Sequence, residues 1–161
     1  MTMPWDEVED ALRNHIETQW ALSSFSTIQL IFENEIVDPQ EKFIFIDIQG
    51  TYADKSVYGS TSGRLHIEGG IVYIHCFAPS GGGKRAAVSP VVAMTAILEL
   101  QTVANVIKLE GGNPPSPTEQ REFDPSLTGS RRTTRPDSLL PIIQPSGNYY
   151  RVSGSVPFIV I

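Results

Sequence analysis

The sequence holds a single cysteine, Cys76. No internal disulfide can form, which excludes a small, cross-linked secreted scaffold. No apolar run approaches the roughly 20 residues that a membrane-spanning helix needs. Charge is scarce at 19% of 161 residues, and positive charge is scarcer still. Twelve Lys and Arg stand against 18 Asp and Glu, for a net charge of −6. That balance disfavours general binding to a phosphate backbone, which relies on basic side chains to release counterions. Histidine is sparse, with His15, His66 and His75 the three present. They lack the i, i+4 spacing of helical metal ligands, and Cys76 points to the strand face opposite His75. A zinc site draws on four convergent ligands, so no metal centre is expected. No Gly-x-Ser-x-Gly elbow occurs. Ser60-Thr61-Ser62-Gly63 is rich in hydroxyls but has no evident base or oxyanion donor. The carboxylates of Asp6, Glu7 and Asp10 read as a solvated helix face. Nucleophile, base and orienter are not assembled, and neither catalysis nor a cofactor is expected.

What is present describes one α+β domain over 1–161. Trp5, Val8, Leu12, Ile16 and Trp20 recur at spacings of three and four, which predicts an amphipathic helix over about 4–21. Asp6 and Glu7 fall in its first turn, where the helix dipole favours negative charge. Acidic residues crowd the first forty positions, opposed there by Arg13 alone. This N-terminal pattern is unlike a signal peptide and predicts synthesis in the cytosol.

Ile28 to Phe32 reads as a short strand. Phe43 to Ile48 reads as a stronger one, apolar on nearly both faces and ended by Gly50. Such a strand is either covered on both sides or turned toward another subunit. The polar, Gly-rich stretch 50–63 reads as a long hairpin loop. Arg64 to Ala78 reads as the next strand, with a bulge or bend at Gly69-Gly70. Beyond the bend, Ile71, Tyr73, His75 and Phe77 point one way, and Val72, Ile74, Cys76 and Ala78 the other.

A turn at 79–83 leads to a second helix, with Ser89 as N-cap, Pro90 as first helical residue and an end near Thr102. Val106 to Leu109 reads as a further short strand. Residues 111–148 hold many of the prolines and the cluster Arg131, Arg132 and Arg135, and read as a long irregular loop. Tyr149 to Ile161 closes the chain as a strand. Pro157 cannot donate to a ladder, so it predicts an edge position or a bulge. The final Phe158-Ile159-Val160-Ile161 is too apolar for a free tail. The order of elements predicts a two-layer sandwich. Its antiparallel or mixed sheet has four to five strands, with the first three pairing as a meander and both helices on one face.

Gly81-Gly82-Gly83-Lys84-Arg85 invites a phosphate-loop reading. It lacks the Gly five residues before its last Gly, where Ala78 stands, and the Ser or Thr after Lys84. A flexible turn or contact loop is the better reading, and a small nucleotide-binding enzyme the weaker alternative.

The ordered set of these pieces resembles the tail terminator-like proteins of long-tailed phages, prophages and gene-transfer-agent particles. An opening amphipathic helix precedes Ile28-Gln29-Leu30-Ile31-Phe32-Glu33-Asn34-Glu35, similar to the family's aromatic-Glu-Asn step. Pro39 and the strand 43–48 follow, then a Gly-bounded loop and a strand opening on Arg64. Val72 to Gly83 is similar to a family strand that ends in aromatic-x-Pro and a Gly-rich turn. The close, Tyr149-Tyr150-Arg151 and Val156-Pro157-Phe158, is similar to the family's Tyr-x-Arg and Val-Pro-Phe. The match covers most of 5–110 and 147–161; residues 111–148 are longer than the family's connection.

The resemblance implies a structural virion protein with no cofactor. Its subunits would close into a ring, typically a hexamer, at the head-proximal end of the tail. The ring would cap the tube, stop its elongation and present a surface to the head–tail connector. DNA would pass through without sequence-specific binding, and no membrane would be involved. A neighbouring head–tail joining or tail-completion subunit is the runner-up. Head-to-tail closure needs two different complementary patches on each subunit. Candidate contact residues are Phe43 and Phe45 on the two-sided strand, and Tyr52, Tyr58 and Tyr149 at its loops. Lys84 and Arg85 in the Gly-rich turn, the Arg131, Arg132 and Arg135 cluster, and Pro157 complete the set. The acidic residues of 6–38 would make part of the ring's surface negative.

Overall fold

The computed structural model describes residues 3–33, 35, 42–52, 66–79, 85–113, 121–123 and 149–161. In chain order the elements are β1 (Met3–Pro4), α1 (Trp5–Ala21), β2 (Gln29–Phe32), β3 (Phe43–Tyr52), β4 (His66–Pro79), α2 (Arg85–Leu98), β5 (Thr102–Val103), β6 (Ile107–Leu109), β7 (Arg121–Phe123) and β8 (Tyr149–Val160). The protein is α+β.

Helix α1 follows its sequence pattern. Val8, Leu12, Ile16 and Trp20 are buried on one stripe, and Asp6 and Glu7 occupy the first turn. Its N-cap position is Pro4, which supplies no side-chain cap. The two residues before the helix form β1 against the start of β4, with Met3 opposite Ile67 and Pro4 opposite His66. A strand this short has no periodicity to read.

The strands join one sheet in the order β2-β3-β4-β8-β6-β5, with β1 added on β4 and β7 on β8. That is more strands than the four to five expected. The sheet is mixed. β3, β4 and β8 pair antiparallel, whereas β2 runs parallel to β3, so the first three long strands are no meander. The long connection from Phe32 to Phe43 gives the chain room to return to the same end of the sheet before β3 begins.

Alternation along β4 is as expected. Val72, Ile74, Cys76 and Ala78 are all buried. They join Ile44, Ile46, Ile48, Val152 and Val156 in a core cluster to which both helices contribute, α1 through its stripe and α2 through Ala87, Val91, Met94 and Leu98. Burial of each large aliphatic side chain contributes about 1.5–3 kcal/mol. Burial also pushes the Cys76 thiol up to about 12, against the opposing charge of Lys42. A register shift between Thr51 and Tyr52 skips Glu68 beside Gly69. It turns Ile67 toward the helix side, and it is the bulge that the glycine pair signalled. Gly50, in contrast, does not end β3. A Cβ there would lie 2.9 Å from the Trp5 ring, so the strand continues through a position kept bare for that ring.

Helix α2 begins at Arg85, four residues before the expected Ser89 cap, and Pro90 lies buried inside it. Proline at the sixth helical position lies past the leading donors that have no intrahelical partner, so it removes one ladder bond, the one an N–H there would make to the Ala86 carbonyl. The helix stops at Leu98 rather than near Thr102, and Leu100, two residues on, takes a left-handed φ of 60°. Ala104 and Asn105, at φ 52° and 62°, turn the chain from β5 into β6.

Pro157 is the larger departure. It sits within β8, between β4 and the β6 side, and not on an edge. Pairing on its outer side runs to Leu109 opposite Phe158 and resumes at Asn113 opposite Ser155, one residue out of step. The Pro157 carbonyl accepts the Glu110 N–H at 2.8 Å across this irregularity. The missing proline donor therefore faces the stretch where the outer chain has left register. The expected loop 111–148 is likewise not wholly irregular, because Asn113 bridges to Ser155 and β7 pairs with β8 from Arg121–Arg151 to Phe123–Tyr149.

Candidate subunit interface

Over 43–49 of β3, 70–78 of β4 and 151–160 of β8, the even-numbered positions face the helices. The odd-numbered positions form the other face of the sheet. Cross-strand rows on that face run Phe43–Phe77–Arg151, Phe45–His75–Ser153, Asp47–Tyr73–Ser155 and Gln49–Ile71–Pro157. The rows change character from one end to the other. At the first end, Phe43 and Phe77 stack at 4.8 Å between centroids and both are 1% exposed. In the middle, His75 stacks on Phe45 at 6.0 Å and on Tyr73 at 6.3 Å, and its Nδ1 lies 2.7 Å from Ser153 Oγ. Gln49 Nε2 donates to Asp47 Oδ2 at 2.8 Å. At the far end the face is aliphatic and partly open. Ile71 and Pro157 are half-buried, while Ile159 is 39% and Ile161 45% exposed.

Phe43 and Phe45 therefore offer almost no surface for a contact. Each is sealed inside the single chain, which decides between the two readings of the two-sided strand in favour of a strand covered on both sides. Arg85 is exposed at the first position of α2. Pro157 lies on the partly open end of the face. Tyr52 and Tyr149 are placed by their backbones, at the end of β3 and the start of β8. Tyr58, Lys84, Arg131, Arg132 and Arg135 lie outside the described residues.

Sequence reasoning passed over Ile159 and Ile161, because an apolar chain end was read as packed throughout. Half of it is packed, with Phe158 1% and Val160 5% exposed. Strand alternation was the signal that could have separated the two pairs.

Electrostatics gather at the exit of β2. Burial, then the charges of Asp47 and Glu9, hold the Glu33 carboxyl above its ordinary range, with a hydrogen bond to Asp47 adding to the shift. Arg13, on α1, pairs with Glu17 at 3.2 Å and with Glu35 at 2.5 Å, and its guanidinium lies 4.5 Å over the Phe32 ring. Burial works against its charge, but the bonds to the two glutamates outweigh that and raise its pKa. Among the described residues, no three His, Cys, Asp or Glu side chains converge as metal ligands, and no helix is long and apolar enough to cross a membrane.

No family model matches the chain, and no curated protein matches it. A solved structure of a protein without a descriptive name shares the fold, with a TM-score of 0.57 at 12% identity over 99% of this chain and 96% of that one. At that identity the likeness concerns the fold alone.

Proposed function

We propose that this protein is a structural subunit of the tail terminator kind. It would form a ring, most simply a hexamer, that caps a tail tube, ends its growth and receives the head–tail connector. One observation supports this above the others. Two sequence pieces that carry the resemblance, far apart in the chain, lie side by side. Phe77-Ala78-Pro79 ends β4 and Tyr149-Tyr150-Arg151 begins β8, with Phe77 opposite Arg151 and Pro79 opposite Tyr149. In this reading the helices and the sheet act as the two layers of a sandwich, and the protein would reside in the virion tail.

The aliphatic end of the outer face is the surface assigned here to a neighbouring subunit. Ile159 and Ile161 stand open beside Ile71 and Pro157, and apolar surface of this kind gains by being covered. A ring contact needs a second, different patch on the neighbour. In this reading acidic α1 faces the lumen, where negative charge would let DNA slide without adhering. Glu35 is a poor probe of that charge, since it is engaged with Arg13. Asp10, exposed on α1, is a better one.

The test is removal of the protein from the particle that carries it. Over-long tubes without heads are expected. Tubes of normal length joined to filled heads would overturn the proposal. In vitro, Ile159→Asp should lower the mass of any ring by light scattering while leaving the circular dichroism spectrum unchanged.

A further inference from the structure

Strand β2 is an edge of the sheet, hydrogen-bonded on one side to β3. An open edge of this kind is a template for another chain, because a row of outward N–H and C=O groups is left to be paired. In a strand, successive residues direct these groups to alternate sides. Here the outward positions are Ile28, Leu30 and Phe32, and two of the three are already occupied. The Ile28 N–H donates to the Phe25 carbonyl at 2.9 Å, and the Ile28 carbonyl accepts the Trp20 indole N–H at 3.1 Å. The Phe32 N–H donates to Glu35 Oε2 at 3.1 Å, and the Phe32 carbonyl accepts the Glu35 N–H at 3.2 Å. Glu35 thus fills both outward groups of one strand residue. Arg13 holds it there from α1, binding Oε1 while Oε2 faces the strand. Among the described residues only Leu30 keeps an outward pair open.

We propose that Glu35, held by Arg13, is an edge guard: it keeps β2 from adding a strand from a second copy of this chain. A single open position cannot support a ladder. Losing the Glu35 carboxylate frees the Phe32 N–H while the carbonyl keeps the Glu35 N–H, so two alternate donors, at Leu30 and Phe32, then stand open, which is the start of one. The two closures differ in kind. Trp20 is a core residue that cannot leave without disturbing the helix. Glu35 is a part-exposed side chain on a short reach, and Arg13 is its tether. Two identical edges can pair antiparallel about a two-fold axis, so the copy needs no feature beyond the freed edge itself. This inference is independent of the ring proposed above. That ring would use the aliphatic end of the outer face, carried by β4 and β8, whereas the guarded groups are backbone groups on the free edge of β2, with β3 between.

The experiment compares Glu35→Ala with the unaltered full chain by light scattering across a hundredfold range of concentration. Whatever mass the unaltered chain shows is the baseline. The variant should rise at least twofold above it as concentration increases, and the Phe32 amide should exchange faster with solvent at low concentration. Adding Leu30→Pro to Glu35→Ala should return the mass to baseline, because proline removes the outward Leu30 donor without touching the β3 ladder. If Glu35→Ala does not fold, Arg13→Ala carries the test, since it unhooks the carboxylate and leaves the turn in place. A folded variant that keeps the baseline mass at every concentration overturns the proposal. A rise that Leu30→Pro does not reverse also overturns it, because the added contact would then lie elsewhere.

Discussion

The indole N–H of Trp20 donates to the carbonyl oxygen of Ile28 at 3.1 Å in a buried setting. This bond ties the last turn of α1 to the start of β2, across a connection in which Phe25 stacks on the same indole at 6.2 Å. The ring thus fills core space and also satisfies an edge carbonyl that water cannot reach.

Trp20→Phe should therefore cost more than its lost volume. It leaves the Ile28 carbonyl buried without a donor, a penalty of about 1–3 kcal/mol. Urea unfolding is the measurement. A loss under 0.5 kcal/mol would show that the carbonyl finds another partner.

Gly112 is kept bare by α2. A Cβ there would stand 2.3 Å from Thr95 Cγ2, while the Thr95 hydroxyl is bonded to the Val91 carbonyl at 2.8 Å. Gly112→Ala should destabilise by about 1–3 kcal/mol through overpacking. Thr95→Ser deletes the clashing methyl and keeps the hydroxyl, so the double variant should recover most of the loss. Additive effects in the double-mutant cycle would place the strain elsewhere.

The β5–β6 turn places Ala104 where its backbone does not suit it. Ala104 and Asn105 both have positive φ, and Val106 N–H donates to the Val103 carbonyl at 3.2 Å, as in a type I′ turn. Asn-Gly is the favoured pair for this turn. Replacing Ala104 with Asn and Asn105 with Gly together should stabilise by about 1 kcal/mol, since the left-handed region costs an ordinary L-residue such as alanine about 1–2 kcal/mol, whereas Asn offsets it by local hydrogen bonding and Gly escapes it. A calorimetric Tm that stays level or falls would count against it.

Two groups tilt stability with pH in opposite directions. Glu33 titrates above its ordinary value of 4.5 in the folded chain, so the folded state binds the extra proton and stability falls as pH rises through that range. His15 titrates below 6.5 because of burial, and its Nε2 has no hydrogen-bond partner. The unfolded state then binds the extra proton, and stability falls as pH drops below 6.5. Glu33→Gln should gain in Tm over the unaltered chain at pH 7, with the gain shrinking toward pH 4. His15→Gln should lose less than the unaltered chain between pH 7 and pH 5. Parallel Tm profiles for all three proteins would refute both assignments.

The sequence alone was enough for features that depend on local periodicity. The stripe from Trp5 to Trp20 marks α1, and the alternation after Gly70 marks which residues of β4 enter the core. A 3.6-residue or two-residue period is a property of the chain itself, and burying one face follows from it. The glycine pair at 69–70 likewise announced a bulge through its own conformational freedom.

Only the tertiary structure could decide what depends on residues distant in the chain. Whether Phe43 and Phe45 meet a partner or the chain itself is a question of what lies over the sheet. Whether Pro157 needs an edge depends on the register of the strand beside it, and that register slips between Leu109 and Asn113. Glu35 closing Phe32, with Arg13 behind it from twenty-two positions away, leaves no periodic trace. Hydrogen-bond partners across a sheet or between a helix and an edge are fixed by three-dimensional proximity, and the spacing of residues along the chain does not encode them.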